Sequence, residues 1–224
     1  MKKLKTLFVQ FENTFDKWQV ASFRGAVIEK VGRESLLFHN HKTDTELSYL
    51  YPLIQYKSIY KKPSLFCLGD GVDEIHKLFH QKNWEINLHG EIYQLKIDRL
   101  DLNHVTLNVW DKLFNYTITN WLALNAENYS RFKQLNSAEE KTALLQKMMI
   151  GNIISLAKGV EWDVDKTIEL TINEIEEERK LHYKGVTLAG FNLKFTSNVY
   201  LPNFIGLGKS VSHGFGVVKM NKKV

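Results

Sequence analysis

The sequence predicts an α+β protein built as two tandem ferredoxin-like (RRM-like) domains, and three observations carry that expectation. Its first hundred residues read in the order β-α-β-β-α-β, which is the order of that fold. A second set of alternating strands with a capped helix follows. The chain has 224 residues, 44% of them hydrophobic and 12% aromatic, enough for one substantial core or two small ones.

Leu4 to Gln10 reads as the first strand. A helix is expected next, from Asn13 or Thr14 as N-cap to Lys30, with Phe15, Trp18, Ala21 and Ile28 on its buried face and Gly32 as its stop. Glu34 to His41 reads as a short strand, and Tyr49 to Ile59 as another that Pro52 confines to an edge or an entry. Ser64 to Leu68 precedes a helix from Asp70 to about Lys82, whose Val72, Ile75, Leu78 and Phe79 share a face. Trp84 to Ile97 completes the unit as a strand whose alternation changes parity after Ile92, as a bulge would require.

In the second half, Val105 to Val109 and Tyr116 to Ile118 alternate. Ser137-Ala-Glu-Glu140 is a capping box that opens a helix to about Lys158, with Leu145, Met148, Met149, Ile153 and Leu156 at helical spacing. Thr167 to Asn173 and Lys184 to Thr196 alternate again, the second with a register change near Gly190. The acidic run Glu174 to Glu178 reads as a solvated hairpin end, since it has no paired ligand cluster. The domain boundary falls between Leu100 and Val105, giving domains of 1–102 and 103–224.

Charge is uneven. Residues 1–62 hold eleven Lys/Arg and six Asp/Glu, residues 63–178 hold eleven and nineteen, and residues 179–224 hold eight and none. Basic ends brought together by the fold would make a positive face for a polyanion; the alternative is that both ends are simply solvated. The lone cysteine, Cys67, excludes an intrachain disulfide. The N-terminus starts like a signal peptide but is broken by Gln10 and Glu12, and no apolar run reaches membrane-spanning length, so a cytoplasmic protein without membrane contact is expected.

The strongest lead is Phe204-Ile-Gly206-Leu-Gly208-Lys209-Ser210-Val-Ser-His213-Gly214-Phe-Gly216. Glycine lets backbone N–H groups approach a phosphate, and a nearby cation offsets its charge. A Walker loop would need glycine where Asn203 stands, and a dinucleotide fingerprint would need it at Val211, so neither applies. The competing reading is a glycine-rich turn that binds nothing.

Of eight histidines, His39 and His41 stand out in Leu37-Phe38-His39-Asn40-His41-Lys42. On a strand they would share a face roughly 6 to 7 Å apart, about the span between the attacking and leaving oxygens of a phosphodiester. Two imidazoles there could divide general base and general acid work. The alternative is a pair of solvated histidines in a turn. The contiguous letters do not make the nuclease motif of the same name, whose residues spread over a ββα-metal hairpin. His76 and His80 lack the glutamate of a zincin helix, because position 77 is Lys77, and read as helix surface. Neither a metal nor a cofactor is expected.

The spacing Gly-apolar-Gly, five residues including Lys209, Gly-apolar-Gly resembles the C-terminal signature of the CRISPR-associated repeat-processing endoribonucleases of the RAMP superfamily, matched at Gly206, Gly208, Gly214 and Gly216. His39-Asn-His41 followed by Tyr51-Pro-Leu-Ile-Gln-Tyr-Lys57 resembles the subgroup of that family with paired histidines. The resemblance implies metal-independent cleavage of precursor CRISPR RNA within repeats, by attack of the 2′-hydroxyl, leaving 2′,3′-cyclic phosphate and 5′-hydroxyl ends. It implies proton transfers by His39 and His41, with Lys57 and Lys42 stabilising charge. Gly206, Gly208, Lys209, Ser210, His213, Gly214 and Gly216 would hold the RNA backbone. Repeat RNA is then the partner, and a homodimer and a CRISPR effector complex are the assemblies it admits. Two alternatives stay open: a non-catalytic RNA-binding subunit of such a complex, and a nucleotide- or metabolite-binding enzyme.

Overall fold

The structure is a computed structural model that describes residues 1–39, 51–183 and 185–221. Two compact units form, Lys3–Val105 with Ser212–Gly214, and Met1–Lys2 with Thr106–Val211 and Phe215–Val224. Both are ferredoxin-like, as expected.

In the first unit the described elements are β1 (Lys2–Phe11), α1 (Val20–Val31), α2 (Leu36–His39), β2 (Ile54–Ile59), β3 (Lys62–Leu68), α3 (Asp70–Glu74), α4 (His76–Phe79), β4 (Glu85–Leu88), β5 (Glu91–Gln94) and β6 (Ile97–Leu107). The sheet order β2-β3-β1-β6 puts the first strand in the middle, with β3 antiparallel to both β1 and β2. Its core joins Leu7, Val9 and Phe11 of β1 to Phe23, Val27 and Ile28 of α1, with Leu65, Cys67 and Leu78. Phe23 sits edge-on to three rings, Phe11 at 6.0 Å, Phe15 at 5.5 Å and Tyr56 at 5.9 Å, a geometry that aromatic quadrupoles favour.

Four sequence expectations change here. The first helix starts later than Asn13: Asp16 precedes a 3-10 turn at Lys17–Gln19, its N–H donating to Gln19 Oε1 at 2.9 Å, and α1 follows. That rotation puts Val20, Phe23, Val27, Ile28 and Val31 inside and leaves Trp18 67% exposed. Glu34 to His41 is not a strand over its described part, because α2 occupies Leu36–His39. Trp84 to Ile97 is a hairpin inserted before the true fourth strand, β6; the parity change marks a two-residue turn in which His89 and Gly90 have φ of 56° and 92°.

The second unit contains β7 (Val109–Trp121), α5 (Ala126–Gln134), α6 (Ala138–Gly159), β8 (Leu170–Tyr183), β9 (Val186–Val199) and β10 (Val217–Met220), in sheet order β10-β7-β9-β8. The capping box forms, Glu140 N–H donating to Ser137 Oγ at 3.1 Å. Ser137→Ala should cost about 1 kcal/mol, read as a lower midpoint in urea at unchanged slope. From α6, Leu145, Met149, Ile153 and Leu156 are buried, as are Tyr116, Ile118, Leu193 and Phe195 of the sheet. The acidic run lies within β8 and not at a hairpin end; Lys194 on the neighbouring strand reaches Glu174 at 2.9 Å and Glu176 at 3.1 Å.

Since β9 and β10 are both antiparallel to β7, they run parallel and need a crossover. A ferredoxin-like unit normally uses a helix there. This chain uses the glycine-rich segment 200–216, whose only helical part is a 3-10 turn at Val211–His213.

Candidate functional site

The crossover segment is stitched to its own unit by backbone hydrogen bonds. Leu207 N–H donates to Gly216 O at 2.9 Å, Gly216 N–H to Asn120 O at 3.0 Å, Lys209 N–H to Leu122 O at 3.1 Å and Val218 N–H to Ile205 O at 2.9 Å, and Gly206 bridges Val217. Two glycines are required by close approach. A Cβ on Gly208 (φ 94°) would stand 2.7 Å from the Trp121 ring, and one on Gly216 (φ 63°) only 1.8 Å from Leu207 O. The N–H groups of Leu207, Lys209 and Gly216 are therefore spent inside the fold and do not point at a ligand. Lys209 is exposed, and Ser210 has φ of 55°.

The part of the loop at Ser212–Gly214 belongs to the first unit. A Cβ on Gly214 would lie 3.3 Å from Tyr56 O and 3.3 Å from Val20 Cγ1, so this stretch runs against β2 and the start of α1. His213 Nδ1 lies 3.2 Å from Ser212 Oγ. The same unit contains His39 and Lys57. Of the expected site residues, the structure thus gathers His213, Gly214, His39 and Lys57 in one unit, while Gly206, Gly208, Lys209, Ser210 and Gly216 belong to the other. His41 and Lys42 lie outside the described residues.

Long-range contacts position His39. Arg24 Nη2 of α1 donates to the His39 carbonyl at 2.6 Å, and the Tyr56 hydroxyl of β2 donates to the Phe38 carbonyl at 3.3 Å. Arg24 also stands 5.9 Å over the Tyr56 ring. A cation and a hydroxyl at the last carbonyls of a helical turn satisfy acceptors that have no partner within the turn. His39 thus ends a helical turn and does not sit on a strand. Arg24 is a residue that sequence reasoning missed; its signal was a cation in the middle of α1, flanked by Ser22, Phe23, Gly25 and Ala26.

Lys57 is the most unusual group. Side chains alternate along β2, so Lys57 leaves the face opposite Tyr56. It is fully buried, and Nζ has no hydrogen-bond partner among the described residues. Burial pulls its ammonium down to about 7, because desolvation disfavours the charged form. Such an amine exchanges protons near neutral pH, as a general acid or base must.

Comparisons with known proteins agree along the whole chain. Residues 2–106 match the family model of the Cas6b N-terminal domain and residues 108–221 that of the Cas6b C-terminal domain. Over 135 residues the chain is 34% identical to the Uncharacterized protein MJ0978 of Methanocaldococcus jannaschii, covering 60% of this chain and 90% of that one. A crystal structure of Cas6b superposes with a TM-score of 0.86 at 24% identity, and one of the CRISPR RNA processing endoribonuclease Cas6b with 0.75 at 24%, each over 98% of this chain and 100% of the other. With both of its halves matched in order, this chain belongs to the Cas6b family.

Proposed function

We propose that this protein is an endoribonuclease that cuts CRISPR precursor RNA within its repeats. The observation that carries the reading is the match of both halves to Cas6b domains, a family in which one solved member is a CRISPR RNA processing endoribonuclease. The 2′-hydroxyl attacks the adjacent phosphorus; the bond from 2′-oxygen to phosphorus forms as the bond from phosphorus to 5′-oxygen breaks. A base takes the 2′ proton and an acid delivers one to the leaving 5′-oxygen, leaving 2′,3′-cyclic phosphate and 5′-hydroxyl ends. His39 and His41 carry these transfers. Lys57, held near neutrality by burial, joins them as a third proton-exchanging group or as charge for the phosphorane. Lys209 and the 210–214 stretch hold the RNA backbone.

The test incubates the protein with its repeat RNA in EDTA, beside the same RNA carrying a single 2′-deoxy nucleotide at the cut. Cleavage of the first with a cyclic phosphate end, and none of the second, is expected. Binding of both without cutting would instead identify a non-catalytic RNA-binding subunit. Binding of neither, with a thermal shift from mononucleotides, would identify a nucleotide-binding enzyme. Cleavage of the 2′-deoxy RNA would rule out the 2′-hydroxyl as nucleophile.

A further inference from the structure

Apart from the residues just assigned, the first unit presents a groove of about 570 Å³ between the 3-10 turn and the tip of the β2–β3 hairpin. Phe15 and Ser58 line it together with Lys17, Trp18, Tyr60, Lys61 and the carboxylate residue Asp16. Trp18 and Tyr60 are each 67% exposed. Two large aromatic rings left in water beside two ammonium groups cost hydration free energy that the fold does not recover.

The backbone is also unusual there. Ile59 pairs with Lys62, so Tyr60 and Lys61 are the whole hairpin loop, and their φ angles are 54° and 58°. A loop with both residues left-handed ordinarily takes Asn-Gly or Gly-Gly; a tyrosine and a lysine there are strained. Strain of this kind persists where surroundings fix it, and it gathers at ligand sites. The fixing contacts are present. Phe15 N–H donates to Lys61 O at 2.8 Å, and Ser58 Oγ donates to Phe15 O at 3.0 Å, tying the hairpin tip to the 3-10 turn. Trp18 also meets His89, with ring centroids 5.3 Å apart, and His89 Nε2 is 2.7 Å from Ser22 Oγ.

We propose that this groove is a stacking subsite for unpaired nucleotides of the repeat RNA, with Trp18 and Tyr60 as base platforms and Lys17 and Lys61 on the neighbouring phosphates. The proposal rests on the endoribonuclease reading. Aromatic faces interleaved with cations are how proteins hold single strands without reading sequence, since every base has a π-face and every nucleotide a charge. A platform already in contact with a neighbouring ring, as Trp18 is with His89, also loses less entropy on binding.

The experiment measures affinity for repeat RNA by fluorescence anisotropy, with single-turnover cleavage at saturating protein. Wild type, Trp18→Ala with Tyr60→Ala, and Trp18→Phe with Tyr60→Phe are compared on intact repeat RNA and on RNA whose unpaired nucleotides are abasic. The double alanine variant should bind intact RNA about tenfold or more weakly, whereas the double phenylalanine variant stays within about threefold of wild type. On abasic RNA all three should bind alike. Equal affinity of wild type and double alanine variant for intact RNA, or an equal loss on abasic RNA, overturns the subsite and leaves the endoribonuclease reading intact. Failure of the wild type to bind or cut any repeat RNA removes that reading, and the subsite with it.

Discussion

Lys57→Met is expected to slow repeat-RNA cleavage by roughly 10²–10⁴-fold and, at pH 6, to make the folded protein more stable. Methionine fills a similar volume without bringing a charge into a site where Nζ has no hydrogen-bond partner among the described residues. A buried amine so placed works against folding, a cost that the proton-transfer role proposed for Lys57 would account for. Unfolded, the lysine titrates at its ordinary value of 10.5; folded, at about 7.

Between those values the unfolded chain holds a proton that the folded one lacks, so stability rises with pH across that window. Below about pH 7 both states are protonated and the cost of burying the charge is present in full, up to about 5 kcal/mol. Above 10.5 it is gone. The gain from Lys57→Met should therefore be largest at pH 6 and shrink steadily toward pH 10. Thermal midpoints at several pH values and single-turnover rates check both halves. Parental cleavage by the variant would remove Lys57 from the chemistry, and a destabilised variant at pH 6 would contradict the account of its burial.

How much of this was legible in the sequence depends on how local the cause is. The α6 start is decided by Ser137 and Glu140, three residues apart, and the α1 stop by Gly32 alone, so both could be read. The α2 turn could not. A short run such as Leu36-Leu37-Phe38 suits a strand as well as a helix, and its carbonyls are held by Arg24 and Tyr56, fifteen and eighteen residues away. The β4–β5 hairpin was legible in principle: Asn87 Oδ1 accepts from Gly90 N–H at 2.9 Å, and His-Gly stands where Asn-Gly usually does. An alternation that changes parity looks the same for a bulge and for a turn.

The candidate site divides in the same way. The glycine spacing pointed to a special backbone, and the special backbone is there, but spacing carries no information about whether N–H groups face a ligand or the protein. Trp18 falls on the buried face only if the helical phase runs from Asn13 or Thr14, before the 3-10 turn; a 3-10 turn advances fewer residues per revolution and resets that phase. Lys57 was named as a cation, and only the structure shows that it is buried.

Gly216→Ala is expected to destabilise the second unit by about 4 kcal/mol or more, in the range reserved for mutations with a named steric cause. At φ of 63° any side chain is strained, and the added Cβ would lie 1.8 Å from Leu207 O and 2.9 Å from Leu207 C. Those atoms are backbone and cannot rotate away as a side-chain end would. Moving them breaks the Leu207 N–H to Gly216 O bond, then the Gly206–Val217 bridge, and with these the anchorage of β10 on β7. Gly208→Ala should rank second, since its nearest obstacles are the Trp121 ring at 2.7 Å and Leu122 O at 2.9 Å. Urea unfolding gives the ranking, and hydrogen exchange at Val217 to Met220 shows whether β10 is what comes loose. A Gly216→Ala protein that unfolds at the parental midpoint would show that the crossover tolerates a side chain. Its glycines would then have to be explained by RNA contact instead of packing.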